Sequence, residues 1–305
     1  MIKRETVCYN INIGDGIMGR EDNVIVFQDT KKLCKNNPRL IESQKKSRNR
    51  QKLILEEADL SEIYPDMFGN ESTGNLKKYD SKANVVVSHK RTYEAASAYK
   101  GKKVAVLNFA SASNPGGGVV TGASAQEECL CRCSTLYFNL DVKEMWDGFY
   151  TPHRNAHDSL HNDDIIFTPD VTVFKTDTYY PKLMPEQDWY DVDVITCAAP
   201  NLREKPANMF NPFEGNRVTI DDESLQKLHE KRLRRILDVA TAEGCEVVIL
   251  GAFGCGAFRN DPEVVAKAAK AVLPDYLYAF ETIEFAVYTR RDDTRNYDAF
   301  KDGVG

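Results

Sequence analysis

A chain of 305 residues, 42% hydrophobic and 28% charged, is long enough to bury a substantial core and sits near the globular average, which argues against wholesale disorder and against a membrane protein. A formal net charge of −6 argues against nonspecific nucleic-acid binding. It leaves room for one anionic ligand, because backbone N–H groups bind phosphate without a basic surface. The first residues, "MIKRETVCYNINIGDGIMGR", hold no apolar run of the secretory kind, so the expected location is the cytoplasm. In that compartment the eight cysteines read as reduced thiols.

Residues 1 to 80 differ from the rest and read as a partly helical extension that packs on or caps a main domain over residues 81 to 305. "PRLIESQKKSRNRQKLILEEADLSEIYPD" predicts a basic helix passing into an acidic turn that Pro65 stops, followed by the polar connector "MFGNESTGNLKKYDSKAN". The basic cluster Lys45 to Arg50 reads as a solvated helix face.

From Asn84 strands and helices alternate. "NVVVS" and "KKVAVLNFA" are β-branched runs flanking the helix "RTYEAASAYKG", which Gly101 closes. After "SASNPGGGVVTGASAQEE" a helix is expected through about Phe138, then an irregular His-rich stretch. "DIIFTPDVTVFK" reads as two strands broken at Pro169, and "VDVITCAAPN" as a buried strand. "ESLQKLHEKRLRRILDVATAEGC" is a helix with an apolar stripe of Leu225, Leu228, Leu233, Ile236, Leu237 and Ala240, capped by Asp222 and ended at Gly244. "EVVILGAFGCGAFRNDP" is a strand entering a glycine loop, followed by the helix "PEVVAKAAKAVLPD" and the strand "IEFAVYT". Strands that are apolar throughout imply a mainly parallel sheet covered on both faces.

Both glycine-rich segments follow strands, Gly116 to Gly118 after "VAVLNFA" and Gly251, Gly254 and Gly256 after "VVIL". In a parallel sheet such loops gather at the carboxyl ends of the strands, and glycine lets backbone N–H groups close on an oxyanion. The late G-x-x-G-x-G spacing is not a dinucleotide fingerprint, and neither loop carries the Lys-Ser/Thr of a P-loop. A kinase or dehydrogenase is therefore disfavoured. Gln126, Glu127 and Glu128 open the helix that follows the first loop. Acidic residues complement a helix dipole, which is a structural reason for them. Successive helical positions point about 100° apart, so the two carboxylates cannot flank a glycosidic bond from opposite sides; one can donate a proton while the other grips the substrate. Such an acid must hold its proton until the bond breaks, which a neighbouring carboxylate and loss of solvent favour.

Two other clusters suggest a metal. Cys129, Cys131 and Cys133 lie at i, i+2 and i+4, which diverge on a helix, so they read as small helix residues. His153, His157 and His161 repeat every fourth residue, but without an H-E-x-x-H glutamate, and the segment reads as polar surface near the site. His89 and His229 read as helix-edge or surface residues. No metal and no cofactor is expected.

"LNFASASNPGGGVVTGASAQEE" resembles the signature of poly(ADP-ribose) glycohydrolases, a triple glycine, a short loop and Gln-Glu-Glu. "GAFGCGAFRNDP" is similar to the phosphate-holding loop of macrodomain-type proteins, and "PDVTVFK" and "VDVITCAAPN" resemble the bacterial-type branch, so the likeness runs from about Asn84 to Tyr288. The resemblance implies an α/β fold, a three-layer α/β/α macrodomain with a mixed, mainly parallel sheet. It implies hydrolysis of ribose–ribose O-glycosidic bonds in poly(ADP-ribose) or ADP-ribosylated macromolecules, with Glu128 as the catalytic acid/base and Glu127 positioning the substrate. Gln126, Ser111, Asn114, Gly116, Gly117, Gly118 and Val119 would bind substrate on one side, and Gly254, Cys255, Gly256, Ala257 and Phe258 on the other, with Phe258 against the distal ribose. Many ADP-ribose-binding macrodomains place an Asn after the strand that precedes the glycines; here that stretch reads Asn108, Phe109, Ala110, Ser111, with Asn114 nearer the glycines. The rival readings are a macrodomain that binds ADP-ribose without cleaving it, and a hydrolase of mono-ADP-ribosylated or free ADP-ribose derivatives. Neither membrane association nor sequence-specific nucleic-acid binding is expected.

Overall fold

The structure, a computed structural model, describes residues 19–68, 76–207, 212–289 and 292–305. Cys8 and the first part of the polar connector fall outside these residues. The strands are β1 (Lys52–Ile54), β2 (Asn84–Ser88), β3 (Val104–Ala110), β4 (Ile165–Val173), β5 (Tyr190–Ala198), β6 (Val247–Leu250) and β7 (Thr282–Ala286). The helices are α1 (Arg20–Asn36), α2 (Pro38–Arg50), α3 (Leu60–Ile63), α4 (Pro65–Phe68), α5 (Thr92–Ala96), α6 (Gln126–Cys133), α7 (Leu136–Leu140), α8 (Lys143–Met145), α9 (Thr151–Ala156), α10 (Asp222–Ala242), α11 (Pro262–Val272) and α12 (Arg295–Val304). None of the described helices is long and apolar enough to cross a membrane.

The strands form one sheet in the order β1-β4-β5-β3-β6-β7-β2. β3 pairs in parallel with β5 and β6, and β7 with β6 and β2, while β4 runs antiparallel to β5 and β1 antiparallel to β4. The sheet is mixed and mainly parallel. Because side chains alternate along a strand, each strand feeds both layers. Ala105, Leu107, Ile195, Val248 and Phe285 pack with Ile236, Leu237 and Ala240 of α10, Val265, Ala269 and Val272 of α11, and Phe300 of α12. Val104, Val106, Val194 and Ile249 pack on the opposite face with Phe27 of α1, Tyr93 of α5, Leu130 of α6 and Leu136 of α7. The product is a three-layer α/β/α arrangement, and it explains why these strands read as apolar throughout. β1, from within the first eighty residues, is an edge strand of this same sheet.

Several local expectations need correction. "DIIFTPDVTVFK" is one strand, β4, continuing through Pro169. Its register against β5 shifts between Thr168 and Val171, and Asp170 takes φ +53, so the proline without an N–H sits at a bulge where no ladder bond is needed. Asp170 also pairs with Lys46 and Arg50, which ties two exposed members of the basic cluster on α2 to the sheet. The helix expected through Phe138 stops at Cys133, because Ser134 and Val173 form an isolated bridge, and restarts as α7. Pro65 opens α4, the first position at which a helix loses nothing by lacking an N–H. Asp221, one residue earlier than expected, caps α10 by accepting from Ser224 N at 2.9 Å. Gly101 and Gly244 do adopt positive φ, +91 and +74.

The buried face of α10 holds more than its apolar stripe: His229 and Arg232 are 2% and 1% exposed. His229 is thus interior, not a surface residue as the sequence suggested, whereas His89 is exposed and stacks on Tyr297. Arg232 donates to Asp163 Oδ1 and Ala198 O at 2.7 Å each and to His161 O at 3.2 Å. A buried guanidinium so matched fixes the chain on both sides of β5's carboxyl end. Replacing it leaves buried Asp163 with Lys231 alone and strands the carbonyls of Leu160, His161 and Ala198, so Arg232→Ala should lower the unfolding free energy by about 3–5 kcal/mol, measured by urea denaturation.

Candidate active site

The first glycine loop leaves β3 at Ala110 and returns through Val119 into α6. Gly116 and Gly117 take φ +66 and +57, and a Cβ on Gly117 would lie 2.5 Å from Glu128 Oε1 and 2.9 Å from Glu127 Oε2. Backbone therefore rests directly on both carboxylates, which a side chain would prevent. Gly118 N donates to Glu128 Oε1 at 2.8 Å, and Ser111 N donates to Glu127 Oε2 at the same distance. Asn108 Nδ2, wholly buried, reaches Glu127 Oε1 at 3.3 Å. Glu128 Oε2 is buried and has no hydrogen-bond partner among the described residues. Burial first, and then the charge of Glu128, pushes the Glu127 carboxyl well above its ordinary value of 4.5, against the pull of the Ser111, Asn108 and Gly116 donors.

Gln126 has a different task. β6 pairs with β3 as far as Val106, and beyond it the side chain of Gln126 takes over the vacated edge. Its Oε1 accepts from Phe109 N at 2.9 Å and its Nε2 donates to Leu107 O at 2.7 Å and Thr92 Oγ1 at 3.0 Å. The amide thus continues the ladder of β3 and fixes where α6, and with it Glu127 and Glu128, begins.

The loop between the glycines and Gln126 is held from α1. Asn23 Nδ2 donates to Gly122 O at 3.1 Å, Thr30 Oγ1 to Arg132 O at 2.6 Å, and Arg132 Nη1 to Ala123 O at 2.5 Å. The stretch before the glycines is held by Arg154, whose guanidinium lies 4.5 Å from the ring centroids of both Trp146 and Phe213. From there Arg154 donates to Ser113 O at 2.7 Å and Asn114 Oδ1 at 2.6 Å.

On the second loop Gly254 takes φ +80, and a Cβ there would meet Asn260 Nδ2 at 2.7 Å. Asn260 donates to Pro200 O at 2.7 Å and Gly254 O at 3.1 Å, and its Oδ1 accepts from His229 Nε2 at 2.8 Å. Burial drives His229 down to about 4, so near neutrality its ring is uncharged and Nε2–H supplies that bond. Leu202 N donates to Phe258 O at 2.9 Å, which pins the end of the loop.

Between the second loop and the start of α6 runs a cleft of about 600 Å³ at the carboxyl ends of the parallel strands, and Ser111, Asn114 and Gly116 to Gly118 do not line it. Of the residues singled out in the sequence as substrate-binding, Gln126, Gly254, Gly256, Ala257 and Phe258 line it, and so do Phe109 and Cys129. Glu127 and Glu128, 3% and 7% exposed, sit behind the triple glycine instead of on the cleft wall, and Val119 and Cys255 are buried. Asn108 faces Glu127 inside the sheet, and Asn114 faces Arg154. Among the further wall residues that escaped the sequence reading are Arg91 just past β2, Tyr288 just past β7, and Asp177. The first two follow the rule that strand ends line the crevice. Asp177 carries no local signal, because its place is set by accepting from Tyr93 N at 3.0 Å across the fold.

The His-rich segment is also corrected. His153 and His161 are 9% and 8% exposed, and α9 ends before His157, which turns left-handed at φ +48, so the three share no helix face. Among the described residues no three His, Cys, Asp or Glu side chains converge as a metal site, and Cys131 and Cys133 are buried in the layer against the sheet.

A three-layer fold with two glycine loops about a strand-end cleft, and a carboxylate pair seated under one of them, defines a macrodomain-type hydrolase. The chain belongs to the microbial-type poly(ADP-ribose) glycohydrolase family. The family model of the microbial-type PARG catalytic domain matches residues 28–176. The chain is 30% identical to the poly(ADP-ribose) glycohydrolase of Deinococcus radiodurans solved with ADP-ribose, at a TM-score of 0.69 covering 86% of this chain and 96% of that one. The enzyme of Thermomonospora curvata is 26% identical at a TM-score of 0.77, covering 93% and 100%, and its structure with the inhibitor ADP-HPD matches at 0.73, covering 92% and 99%. Among the curated proteins none matches.

Two outcomes follow from the carboxylate geometry. Gly117→Ala should leave the protein folded, destabilised by about 1–3 kcal/mol for a non-glycine residue held at positive φ, and should cut turnover by roughly 100-fold because the carboxylates must shift; kinetics and denaturation on the same preparation check both. The raised Glu127 carboxyl means that the folded state binds more protons than the unfolded one at pH values above 4.5, so this group makes stability fall as pH rises through that window. In Glu127→Gln the loss of unfolding free energy between about pH 5 and about pH 8 should be smaller than in the parent.

Proposed function

We infer that the protein is a poly(ADP-ribose) glycohydrolase in which the terminal ADP-ribose lies along the cleft and Glu128 serves as general acid and then general base. The observation that carries the assignment of Glu128 is the asymmetry of its carboxyl group. Oε1 is tethered to Gly118 N, while Oε2 is buried without a hydrogen-bond partner among the described residues, the oxygen left to handle a proton. Glu127, with Ser111 N and Asn108 Nδ2 on its two oxygens, is the fixed member of the pair and the one suited to orient ribose hydroxyls.

In this reading the carboxylate pair holds one proton, which passes to Glu128 as substrate binds, and the bond between the anomeric carbon and the bridging oxygen breaks as Glu128 delivers it to that oxygen, which leaves as a ribose hydroxyl. The carboxylate so formed takes a proton from water as the water oxygen bonds to the anomeric carbon, and Glu128 returns to its starting form. The diphosphate, held at the second glycine loop, whose Gly254, Gly256 and Ala257 line the cleft, lends negative charge to hold the cationic sugar. Phe258 on the cleft wall packs against the distal ribose. Residue types on both loops support this reading: glycine where backbone must approach, and polar side chains turned back to hold the loops. Poly(ADP-ribose) on cytoplasmic macromolecules is the substrate that fits it.

With purified poly(ADP-ribose) the parent protein should release ADP-ribose, and Glu128→Gln should lower turnover by at least about 100-fold while binding ADP-ribose as tightly. Tight binding without release by the parent would point instead to a macrodomain that reads ADP-ribose without cleaving it. A much smaller loss in Glu128→Gln would remove Glu128 from the acid's role.

A further inference from the structure

The His-rich segment supplies a buried pair that touches both substrate loops. His161, held at φ +57, has Nδ1 at 2.8 Å from Ala199 O and Nε2 at 3.1 Å from Glu214 Oε2. A carbonyl oxygen only accepts, so Nδ1 carries a hydrogen, and one further proton lies between Nε2 and Oε2. Glu214, 5% exposed, extends the contact. Its Oε1 accepts from Ser113 Oγ at 3.1 Å and its Oε2 from Asn201 Nδ2 at 2.9 Å.

One branch of this network runs to the carboxylates. Ser113 N and Asn114 N donate to Ser111 Oγ at 3.3 and 3.2 Å, and Ser111 N donates to Glu127. The other branch runs to the second loop. The His161 ring stands 5.9 Å from that of Phe258, and Leu202, next to Asn201, bonds Phe258 O. The two glycine loops come from different strands, and this pair bridges them beneath the cleft.

We propose that His161 and Glu214 are positioning residues of the hydrolase: their joint sets the separation of the two loops, and so the alignment of Glu127 with Phe258 across the bound sugar. This rests on the glycohydrolase reading above. A left-handed non-glycine residue persists where its surroundings over-determine it, and here the ring is held at both nitrogens.

The test is kcat per folded molecule on poly(ADP-ribose), well below each thermal midpoint, for the parent, Glu214→Ala, Glu214→Gln, His161→Ala and the double alanine variant. Glu214→Ala and His161→Ala should each lose about tenfold or more in kcat, the scale of a sub-ångström to ångström misplacement. The double variant should lose little beyond the worse single one, because both break the same joint. Glu214→Gln should recover to within about threefold of the parent, since its amide N–H can donate to Nε2 of a neutral His161 while its oxygen still accepts from Ser113 Oγ. A merely structural role would lower the midpoint and leave kcat per folded molecule unchanged. Should Glu214→Ala fail to fold, Ser113→Ala, which removes the bond to Oε1 together with the longer contacts of Ser113 Oγ to Ser111 Oγ and Asn114 Nδ2, must reproduce the loss. Folded Glu214→Ala or Ser113→Ala within twofold of the parent overturns the proposal, and so does a Gln variant as poor as the Ala variant. A parent that releases no ADP-ribose sinks the glycohydrolase reading and the joint together, whereas an active parent with an indifferent Glu214→Ala sinks the joint alone.

Discussion

Backbone at Gly117 lies against two neighbouring carboxylates, at a separation where even a methyl group would collide with both. That close approach ties loop, helix and acid into one object. It requires positive φ at Gly116 and Gly117, it requires α6 to begin where it does, and it buries Glu127 until solvent no longer stabilises its charge. Backbone N–H groups at Ser111 and Gly118 return part of what burial takes away, each bonding one carboxylate. Two acidic groups kept dry beside each other and differently partnered are the condition for giving them different roles.

The fold spends elements on keeping that arrangement still. Gln126 stands in for a missing stretch of β6, α1 holds the carbonyl of Gly122, and Arg154 between two aromatic rings holds the segment before the glycines. On the other side His229 on α10 fixes Asn260, which fixes Gly254. Gln126, Arg154 and Asn260 are buried or half-buried polar groups with more than one partner, so removing one leaves others unsatisfied in a low-dielectric interior. Rigid loops suit a reaction in which the acid must already be in place when charge develops on the sugar.

Much of the architecture was legible because it depends on short-range rules. Apolar strands fed to both faces, the stripe on α10 and the positive φ at Gly244 follow from local pattern, and all are found. Where local pattern misled, a distant partner had decided. Pro169 sits inside a strand because β5 tolerates a bulge there; His229 is interior because Asn260 waits for its nitrogen; His161 is buried because Ala199 and Glu214 arrive from other segments.

By itself the sequence determined the chemistry available: glycines that admit backbone to an anion, and a Gln-Glu-Glu triplet whose residues diverge around a helix. Those properties belong to single residues and their nearest neighbours, and they survive without knowledge of the rest of the chain. Tertiary structure decided which residues face the cleft. Arg91, Asp177 and Tyr288 reach it, Glu127 and Glu128 lie behind the glycines with only a small edge exposed, and Asn108 points into the sheet. The difference arises because exposure and hydrogen-bond partnership are set by segments tens to hundreds of residues apart, brought together by one shared sheet.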